Sequence, residues 1–395
     1  MLNFHARTVS AKLMSLKKLV AITFVVLIGF VLIFIFTLFR KMDVIAPELP
    51  QLGEWDTPSI SIDPDTGLAS MEISVLTYNI AALPFPIACG KTSRMTDEAG
   101  NRIPIACNRK KGAIDIANAL QQLRKQGTEP DIILLQEAFL PVVAEIPDIA
   151  GYQNWAAGPG PMDLGPKYSD RASKSFIENR SFWKGEKWGK RQPSGLLVAT
   201  DFQIVEHINF PFFEWECAGF DCLANKGQTL TRLRIPGLPD LLEVVTAHYN
   251  AKGASGVPTE RAHEAHRLQL DAALEFLRTT SNFDLPAIWG GDMNMRRSQD
   301  RIRYFVQQAG ERLNEVSSYC LENPDRCDLN IQDTSDEPWF QTQDLQGWAD
   351  GVRVSSEPKR MEDIFDQPEN GKMLSDHNGF LVVYRLSWPV QDPGF

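Results

Sequence analysis

The sequence predicts a single α/β domain that follows an N-terminal membrane anchor. From residue 71 onward, apolar runs typical of strands alternate with amphipathic stretches typical of helices. Short polar motifs, the first at residue 79 and the last at residue 377, follow or precede several of the apolar runs. Because these motifs span nearly the whole region, we expect one large domain, although the length alone would allow two or three.

The anchor is predicted from the uncharged run Leu19–Phe39. A helix needs about 20 apolar residues to cross a bilayer, whereas a cleaved signal peptide has an apolar region of about 7–15. Basic residues are more numerous before the run than after it, which favours a cytoplasmic N-terminus. A buried core helix is the alternative. The predicted order is a basic cytoplasmic segment (1–18), a transmembrane anchor (19–39), a linker rich in proline and glycine (40–70) and an extracytoplasmic domain (71–395).

Cysteine positions agree with an extracytoplasmic domain. All six cysteines follow the anchor, as the near neighbours Cys89/Cys107, Cys217/Cys222 and Cys320/Cys327. Six cysteines allow about 15 pairings, so pairing between near neighbours is a preference only. Disulfides persist in oxidising compartments, and without a Cys-x2-Cys motif a zinc site is not expected.

The charge balance argues against a nucleic-acid partner. The net charge is −10, and it becomes −16 without the six basic residues of segment 1–41. Affinity for nucleic acid depends mainly on Lys and Arg side chains that neutralise phosphates. A small charged headgroup remains possible, because a local field can differ from the net one.

The apolar and amphipathic runs give the expected elements in chain order. Strands are predicted at Ile73–Tyr78, Ile132–Leu135, Gly195–Thr200, Thr229–Ile235, Leu241–Thr246, Ala287–Trp289 and Gly379–Tyr384. Helices are predicted at Gly112–Lys125 and Thr259–Leu277.

Two polar residues follow the first two of these strands. Asn79 comes at the end of Ile73–Tyr78 and could be a turn residue or a ligand. Glu137 follows Ile132–Leu135, so its carboxylate emerges from a buried strand. An unpaired buried carboxylate is costly. We expect Glu137 to bind Mg²⁺, because hard cations prefer carboxylate oxygens, and a salt bridge is the alternative.

Asp292 and Asn294 follow the apolar strand Ala287–Trp289 and a Gly-Gly turn. Residues two apart in extended chain leave the same face. A carboxylate beside a carboxamide can hold a proton or a cation together with a phosphate oxygen. The alternative is that these residue types only form a turn.

Histidine and aspartate occur at two further strand ends. His248 follows Leu241–Thr246, and Asp376-His377 precede the last predicted strand. Histidine titrates near neutral pH, and a nearby carboxylate can tune that titration. Adjacent side chains diverge in extended chain, so a further acid is expected to orient His377.

The candidates for that acid are Asp344, Asp350 and Asp363. The pair Asp350-Gly351 predicts a hairpin turn, which would occupy Asp350. We therefore favour Asp344.

Together these motifs resemble the endonuclease/exonuclease/phosphatase superfamily, which is deoxyribonuclease-I-like. The resemblance covers Met71 to Trp388 and rests on Thr77-Tyr78-Asn79, Gln136-Glu137, Thr246-Ala247-His248, Gly291-Asp292-Met293-Asn294 and Ser375-Asp376-His377. It implies a four-layer α/β/β/α sandwich, in which two packed mixed β-sheets are flanked by helices, and a Mg²⁺-dependent phosphoesterase.

A further segment is similar to the neutral and bacterial sphingomyelinases. Asn225-Lys226-Gly227 matches their Asn-Lys-Gly segment, and Asp221 precedes Lys226 by five residues, as in the acid–lysine pair of the membrane-bound members. This similarity implies that Asn225, Lys226 and Asn250 contact the substrate. The insert Cys89–Cys107 and the loop 151–192 depart from the better-known members.

The resemblance also implies a division of roles. Glu137, helped by Asn79, would hold Mg²⁺. His377 or Asp292 would take a proton from the attacking water, and the similarity to sphingomyelinases assigns the base role to His377.

The remaining motif residues have supporting roles in this scheme. Asp292 would then position the water, and Asn294 would donate to the phosphate. His248 would stabilise the transition state or protonate the leaving oxygen. Asp376, next to His377 in the chain, would tune the pKa of the imidazole without contacting the substrate.

The expected activity is hydrolysis of a phospholipid or sphingolipid headgroup at a membrane. Alternatives are an extracytoplasmic nuclease, a phosphomonoesterase of the phosphoinositide type and a non-catalytic lipid-binding domain. Loop 151–192 carries seven aromatic residues and eight Lys or Arg against four acids, which suggests contact with a bilayer or ordinary packing on the domain. His263 and His266 could share a ligand, but no third partner is visible.

Overall fold

The computed structural model describes residues 41–46, 58–166, 171–310, 314–333 and 335–390, with Thr23, Phe24, Val26 and Gly29. The chain divides into two compact units, Met1–Arg40 and Lys41–Phe395. The predicted anchor lies outside the described residues except at those four positions. Within the part of the chain that is described, no helix is both long and apolar enough to cross a bilayer.

Strands dominate the larger unit. In chain order they are β1 (Ser61–Ile62), β2 (Leu68–Ala82), β3 (Thr92–Thr96), β4 (Arg102–Pro104), β5 (Ile132–Ala138), β6 (Asn154–Ala157), β7 (Leu197–Thr200), β8 (Gln203–Pro211), β9 (Gly227–Arg234), β10 (Leu242–His248), β11 (Ala287–Asp292), β12 (Asn314–Glu315), β13 (Asp328–Asn330), β14 (Asp344–Ala349), β15 (Ser355–Ile364) and β16 (Gly379–Pro389).

The helices lie between the strands in sequence. They are α1 (Arg109–Gln126), α2 (Glu145–Ala150), α3 (Lys174–Glu178), α4 (Thr259–Thr280), α5 (Gln299–Ala309), α6 (Val316–Glu322) and α7 (Pro338–Gln341). Single turns of 3-10 helix occur at Pro141–Ala144, Phe182–Lys184 and Gly219–Leu223.

Two mixed sheets pack face to face. The first has the order β13-β15-β16-β2-β5-β7-β6, with β1 paired to β2, and the second has the order β12-β14-β11-β10-β9-β8. Their inner faces share one apolar core. Gln346 crosses this core, where its Nε2 donates to Val75 O at 3.0 Å and to Phe380 O at 2.8 Å. These two bonds join the second sheet to the first.

Helices cover the outer face of each sheet. Ile116 and Leu120 of α1 pack against the first sheet, and Leu270 and Phe276 of α4 pack against the second. The rings of Phe210 and Phe276 stack with their centroids 4.6 Å apart. The predicted α/β class is therefore confirmed, and its layers are helix, sheet, sheet and helix.

Helix α1 begins three residues before the predicted start because Arg109 has partners of its own. Its Nε donates to Ala81 O at 2.9 Å, and its Nη2 donates to Ile80 O at 2.7 Å and to Leu374 O at 2.8 Å. Gly127 ends the helix in the left-handed conformation. The buried guanidinium thus fixes the end of β2 against the segment that precedes Ser375.

The hairpin predicted at Asp350-Gly351 is wrong, because β14 and β15 belong to different sheets. Gly351 N donates to Val354 O at 2.9 Å, so a tight turn does form. Asp350 Oδ1 accepts from Ser356 N at 2.7 Å within it. The turn carries the chain from one layer of the sandwich to the other.

Parts of the predicted linker 40–70 belong to the folded unit. Strand β1 pairs antiparallel with β2, and the side chain of Val44 packs into the apolar cluster beneath α1. The folded unit therefore includes residues before the predicted boundary at Met71.

Three disulfides join the near neighbours that the sequence favoured: Cys89–Cys107, Cys217–Cys222 and Cys320–Cys327. The preference for local pairing is confirmed. The first disulfide closes an insert that contains the separate hairpin β3–β4.

We expect Gly291→Ala to destabilise the fold by on the order of 3 kcal/mol. Gly291 has a φ of +153°, and a Cβ there would lie 2.1 Å from Ala247 O of the neighbouring strand. Chemical unfolding measures the change. Gly253→Ala is the matched control, because a Cβ there has open space. Equal stability of both variants would contradict the close approach of β10 and β11.

Candidate active site

Cross-strand register aligns three predicted residues at one end of the second sheet. His248 is paired with Asp292 across the parallel strands β10 and β11. Asp292 is paired with Asp344 across the antiparallel strands β11 and β14. Residues that face each other in this way have neighbouring side chains. The three strand ends therefore form a row with Asp292 at its centre.

Asp292 is buried, and both of its carboxylate oxygens accept hydrogen bonds. Its Oδ2 accepts from Asn79 Nδ2 at 2.9 Å and lies 3.5 Å from His248 Nε2, while its Oδ1 accepts from Asn294 N at 3.0 Å. Burial, and then the negative charge of Asp344, raises the pKa of Asp292 to about 6. The bond from Asn79 connects the row to β2 of the other sheet.

Asp344 contacts the imidazole of His377, with Nδ1 and Oδ2 2.6 Å apart. Asp350 is occupied within its turn, and Asp363 accepts from Gln332 N at 2.8 Å. Burial alone would lower the pKa of His377, but the surrounding carboxylates, Asp344 foremost, raise it to about 9. His377 is therefore a cation at neutral pH.

His248, in contrast, is neutral at pH 7. Burial lowers its pKa well below the usual value, and the charges of Lys226 and His377 lower it further. Its Nδ1 is buried without a hydrogen-bond partner among the described residues. The site thus holds one neutral and one charged imidazole.

Glu137 lies on the other side of the row, on β5 of the first sheet. It adopts a φ of +53°, and its Oε2 is buried without a hydrogen-bond partner in the described part of the chain. Ligand atoms of Glu137, His248 and Asp292 lie within 4.8 Å of one another, as do those of Asp292, Asp344 and His377. Two carboxylates at this spacing fit a hard divalent cation.

Asn79, the second predicted metal ligand, is fully buried beside this group. Its Oδ1 accepts from Ala81 N at 3.1 Å, and a carboxamide oxygen keeps a second lone pair after one such bond. The residues present therefore fit a metal site that Glu137 and Asn79 would hold.

A cavity of about 380 Å³ opens onto these groups. Glu137, Asp292, Asn294 and His377 line it, and Lys226 forms part of its wall. Lys226 Nζ lies 2.9 Å from Asp221 Oδ2 and donates to Tyr249 O at 2.9 Å. Asn79, His248 and Asp344 lie beneath the lining.

Asn294 lines the cavity, but one of its donors is already used. It has a φ of +51°, and its Nδ2 donates to Tyr249 O at 3.0 Å. The second hydrogen of the same carboxamide remains available to a ligand.

Two residues predicted to contact substrate do not line the cavity. Asn225 Nδ2 donates to Gly160 O at 2.7 Å and to Asp163 O at 3.0 Å, which ties β9 to loop 151–192. Asn250 Oδ1 accepts from Ala218 N at 2.8 Å. Both carboxamides satisfy buried backbone groups, so they support the cavity wall from behind.

The histidine pair on α4 also has structural partners. His266 Nε2 bonds with Met293 O at 2.8 Å, and His263 Nε2 bonds with Ser298 Oγ at 3.2 Å. Neither belongs to a group of potential metal ligands among the described residues.

Lys91 is a site residue that the sequence reasoning missed. Its Nζ lies 2.9 Å from Asp376 Oδ2, and it lines the cavity beside Glu137. Burial alone would lower the pKa of Lys91, but the charges of Glu137 and Asp376 raise it overall. The signal available in the sequence is a single lysine inside the cysteine-bounded insert Cys89–Cys107, which follows the strand that carries Asn79.

Asp376 pairs with Lys91, whereas its neighbour His377 pairs with Asp344. Burial raises the pKa of Asp376, yet the positive charges of His377 and Lys91 lower it below the usual value. Asp376 therefore remains ionised and holds the lysine at the cavity wall.

The His377–Asp344 contact predicts a loss of stability at alkaline pH. Because the folded pKa of about 9 exceeds the unfolded value, the contribution is present below about pH 6.5 and is lost as the pH rises through 9. We expect the parent to lose about 3 kcal/mol relative to His377→Gln between pH 6 and 10.

Denaturant unfolding in the presence of a chelator measures this difference at each pH. The control is His207→Gln, since burial lowers the pKa of His207 and its ring is neutral above about pH 6.5 in both states. A difference between the parent and His377→Gln that stays constant over this range would contradict the ion pair.

Comparison with known proteins identifies the family of the chain. The model of the Endonuclease/Exonuclease/phosphatase family matches residues 76–360. The sphingomyelinases of Mycobacterium bovis and Mycobacterium tuberculosis are each 24% identical over 268 residues, which cover 66% of this chain and 43% of theirs. The chain therefore spans less than half the length of these curated relatives.

Solved structures share the fold. A crystal structure of beta toxin from Staphylococcus aureus has a TM-score of 0.52 and 14% identity, covering 78% of this chain and 99% of that one. A double mutant of beta toxin with bound magnesium ions has a TM-score of 0.50 and 13% identity, covering 79% and 99%. The family match spans most of the chain, and the chain belongs to the Endonuclease/Exonuclease/phosphatase family.

Proposed function

We propose that this protein is a Mg²⁺-dependent phosphodiesterase that hydrolyses a phospholipid headgroup, with sphingomyelin as the substrate. The observation that carries the proposal is the convergence of Glu137 with the row His248, Asp292 and Asp344 beneath one cavity. The similarity to proteins named sphingomyelinases supports the choice of lipid.

Glu137 and Asn79 would hold the metal ion. The buried Oε2 of Glu137 and the free lone pair of Asn79 Oδ1 support this assignment. When bound, Mg²⁺ supplies positive charge next to the phosphate oxygens and offsets the negative charge that develops there. A bound magnesium ion in one beta toxin structure is consistent with this choice of metal.

Lys91 and Lys226 would bind the phosphate from the cavity wall. Each ammonium group is already paired with one carboxylate, Asp376 or Asp221, at 2.9 Å. These pairs hold the lysines in place before substrate arrives. An ammonium group has three donors, so each lysine can contact a phosphate oxygen without leaving its carboxylate.

His377 would act as the general base on the attacking water. Asp344 at Nδ1 orients the ring, so that Nε2 is the nitrogen available to take the proton. Because the pKa of His377 is about 9, the neutral form and the base activity increase as the pH rises towards that value. Asp292, which lines the cavity, would position the water.

His248 and Asn294 would act on the phosphate and the leaving oxygen. His248 is neutral, so its imidazole can donate a hydrogen bond but carries no extra proton. Asn294 has one amide hydrogen available beyond its bond to Tyr249 O. Both groups donate where negative charge grows in the transition state.

A location outside the cytoplasm, with a single membrane anchor at Leu19–Phe39, remains part of the proposal. Three disulfides support an oxidising compartment. A nuclease or a phosphomonoesterase would use the same groups, and a panel of substrates distinguishes the three activities.

The proposal predicts Mg²⁺-dependent release of the headgroup from sphingomyelin. The full chain in detergent micelles is assayed against sphingomyelin, a lysolipid, a phosphoinositide and plasmid DNA, each with Mg²⁺ and with chelator. We expect sphingomyelin to be cleaved fastest and chelator to abolish the reaction. Cleavage of DNA that is faster than cleavage of sphingomyelin would contradict the proposed substrate. Release of inorganic phosphate from the phosphoinositide at a higher rate than sphingomyelin cleavage would also contradict it.

Matched histidine variants link that activity to the site. His377→Ala should lower the rate by about 10²–10⁴-fold, the usual contribution of a positioned acid or base. His248→Ala should lower it by about 10²–10³-fold, the usual cost of removing one donor to the charge of the transition state. His263→Ala is the control, because this ring bonds with Ser298 outside the cavity lining. A rate within a few-fold of the parent for either site variant would remove that residue from the mechanism.

A further inference from the structure

Four arginines gather beside the mouth of the cavity, and we call them the arginine cluster. Arg94 and Arg102 lie on the hairpin β3–β4, and Arg296 and Arg297 follow β11. Burial, and then the charges of Arg94, Arg297 and Arg102, lowers the pKa of Arg296 to about 10. The guanidinium group of Arg296 is thus within electrostatic range of the other three.

Gln341 connects the two halves of the arginine cluster. Arg94 Nη1 donates to Gln341 O at 3.4 Å, and Arg297 Nε donates to Gln341 Oε1 at 2.9 Å. Arg297 N also donates to Phe340 O at 2.9 Å. The insert and the loop after β11 are therefore held together at α7, which keeps the like charges side by side.

The arginine cluster lacks close carboxylate partners in the part of the chain that the structure describes. None of its four members forms an ion pair there, whereas Arg232, Arg261 and Arg353 elsewhere each pair with acids. Asp333 acts on Arg296 more weakly than the neighbouring arginines do. Concentrated like charge destabilises a folded protein unless an anion offsets it.

Two exposed apolar side chains precede the hairpin β3–β4 in the chain. Phe85 is 60% exposed and Ile87 is 45% exposed. Both belong to the segment that leads through Cys89 to Lys91 at the cavity wall. Apolar side chains interleaved with cations are typical of surfaces that bind the interface of an anionic bilayer. An aliphatic side chain such as Ile87 offers nothing to a nucleotide base, which favours lipid over nucleic acid.

We propose that the arginine cluster, together with Phe85 and Ile87, is a docking surface for anionic phospholipid headgroups. Docking would turn the mouth of the cavity towards the bilayer, because Arg296 and Arg297 line that mouth. The proposal rests on the proposed function only in that the substrate is a membrane lipid. It adds a second lipid, which is bound and not cleaved.

The test uses the full chain in nanodiscs of phosphatidylcholine, with and without phosphatidylglycerol. Hydrogen–deuterium exchange of peptides from residues 84–106 is the readout, because it reports local contact whether or not any lipid is hydrolysed. We expect these amides to exchange more slowly with phosphatidylglycerol. Arg94→Gln/Arg102→Gln should weaken the anionic contact about 30-fold, from about 1 kcal/mol for each lost cation.

A charge-matched variant controls for the loss of two positive charges. Lys111→Gln/Arg278→Gln removes exposed cations from α1 and α4, and neither residue lines the cavity. This variant should keep the full protection by phosphatidylglycerol. Equal loss in both variants would show an effect of net charge and would overturn the docking surface.

Two further outcomes separate the proposals. Protection that is the same with and without phosphatidylglycerol overturns the docking surface, even if sphingomyelin is hydrolysed. Protection of the same peptides by a single-stranded oligonucleotide in phosphatidylcholine discs also overturns it, in favour of a nucleic-acid surface. Specific protection without hydrolysis of sphingomyelin supports docking and contradicts only the proposed substrate.

Discussion

The contact between Asp344 and His377 is the interaction on which the candidate site depends. Asp344 is almost fully buried, and a buried carboxylate needs a partner to remain ionised. The pairing keeps His377 charged, and that charge in turn lowers the pKa of His248. One short contact therefore keeps His377 charged, adds to the burial that keeps His248 neutral, and fixes which nitrogen of His377 is available to the cavity.

The sequence located most of the site because its residues lie at the ends of buried strands. Apolar runs such as Ile132–Leu135 mark those strands clearly. The end of a buried strand then fixes the position of the polar side chain that follows it. Glu137, His248 and Asp292 were found in this way. Asp344 was preferred because Asp350 was expected to serve a turn. That turn joins two sheets and is no hairpin, yet it does occupy Asp350.

Other features of the site depend on contacts that local sequence does not encode. The row across β10, β11 and β14 is a matter of register between distant segments. Lys91 reaches the cavity through a disulfide-closed insert with little apolar periodicity. The carboxamides of Asn225 and Asn250 bond with backbone groups. The local sequence does not show whether the carboxamide of an asparagine bonds with backbone groups or with a ligand.

The binding of one divalent cation by Glu137 and Asn79, on two strands of the first sheet, is the assignment on which the proposed chemistry depends. Calorimetric titration of Mg²⁺ into the full chain tests it most directly. We expect a single ion to bind to the parent and to Glu129→Gln, which removes a carboxylate that lies near Arg124. Binding should be lost in Glu137→Gln, which keeps the shape of the side chain and removes its charge. Unchanged Mg²⁺ binding by Glu137→Gln would contradict the account.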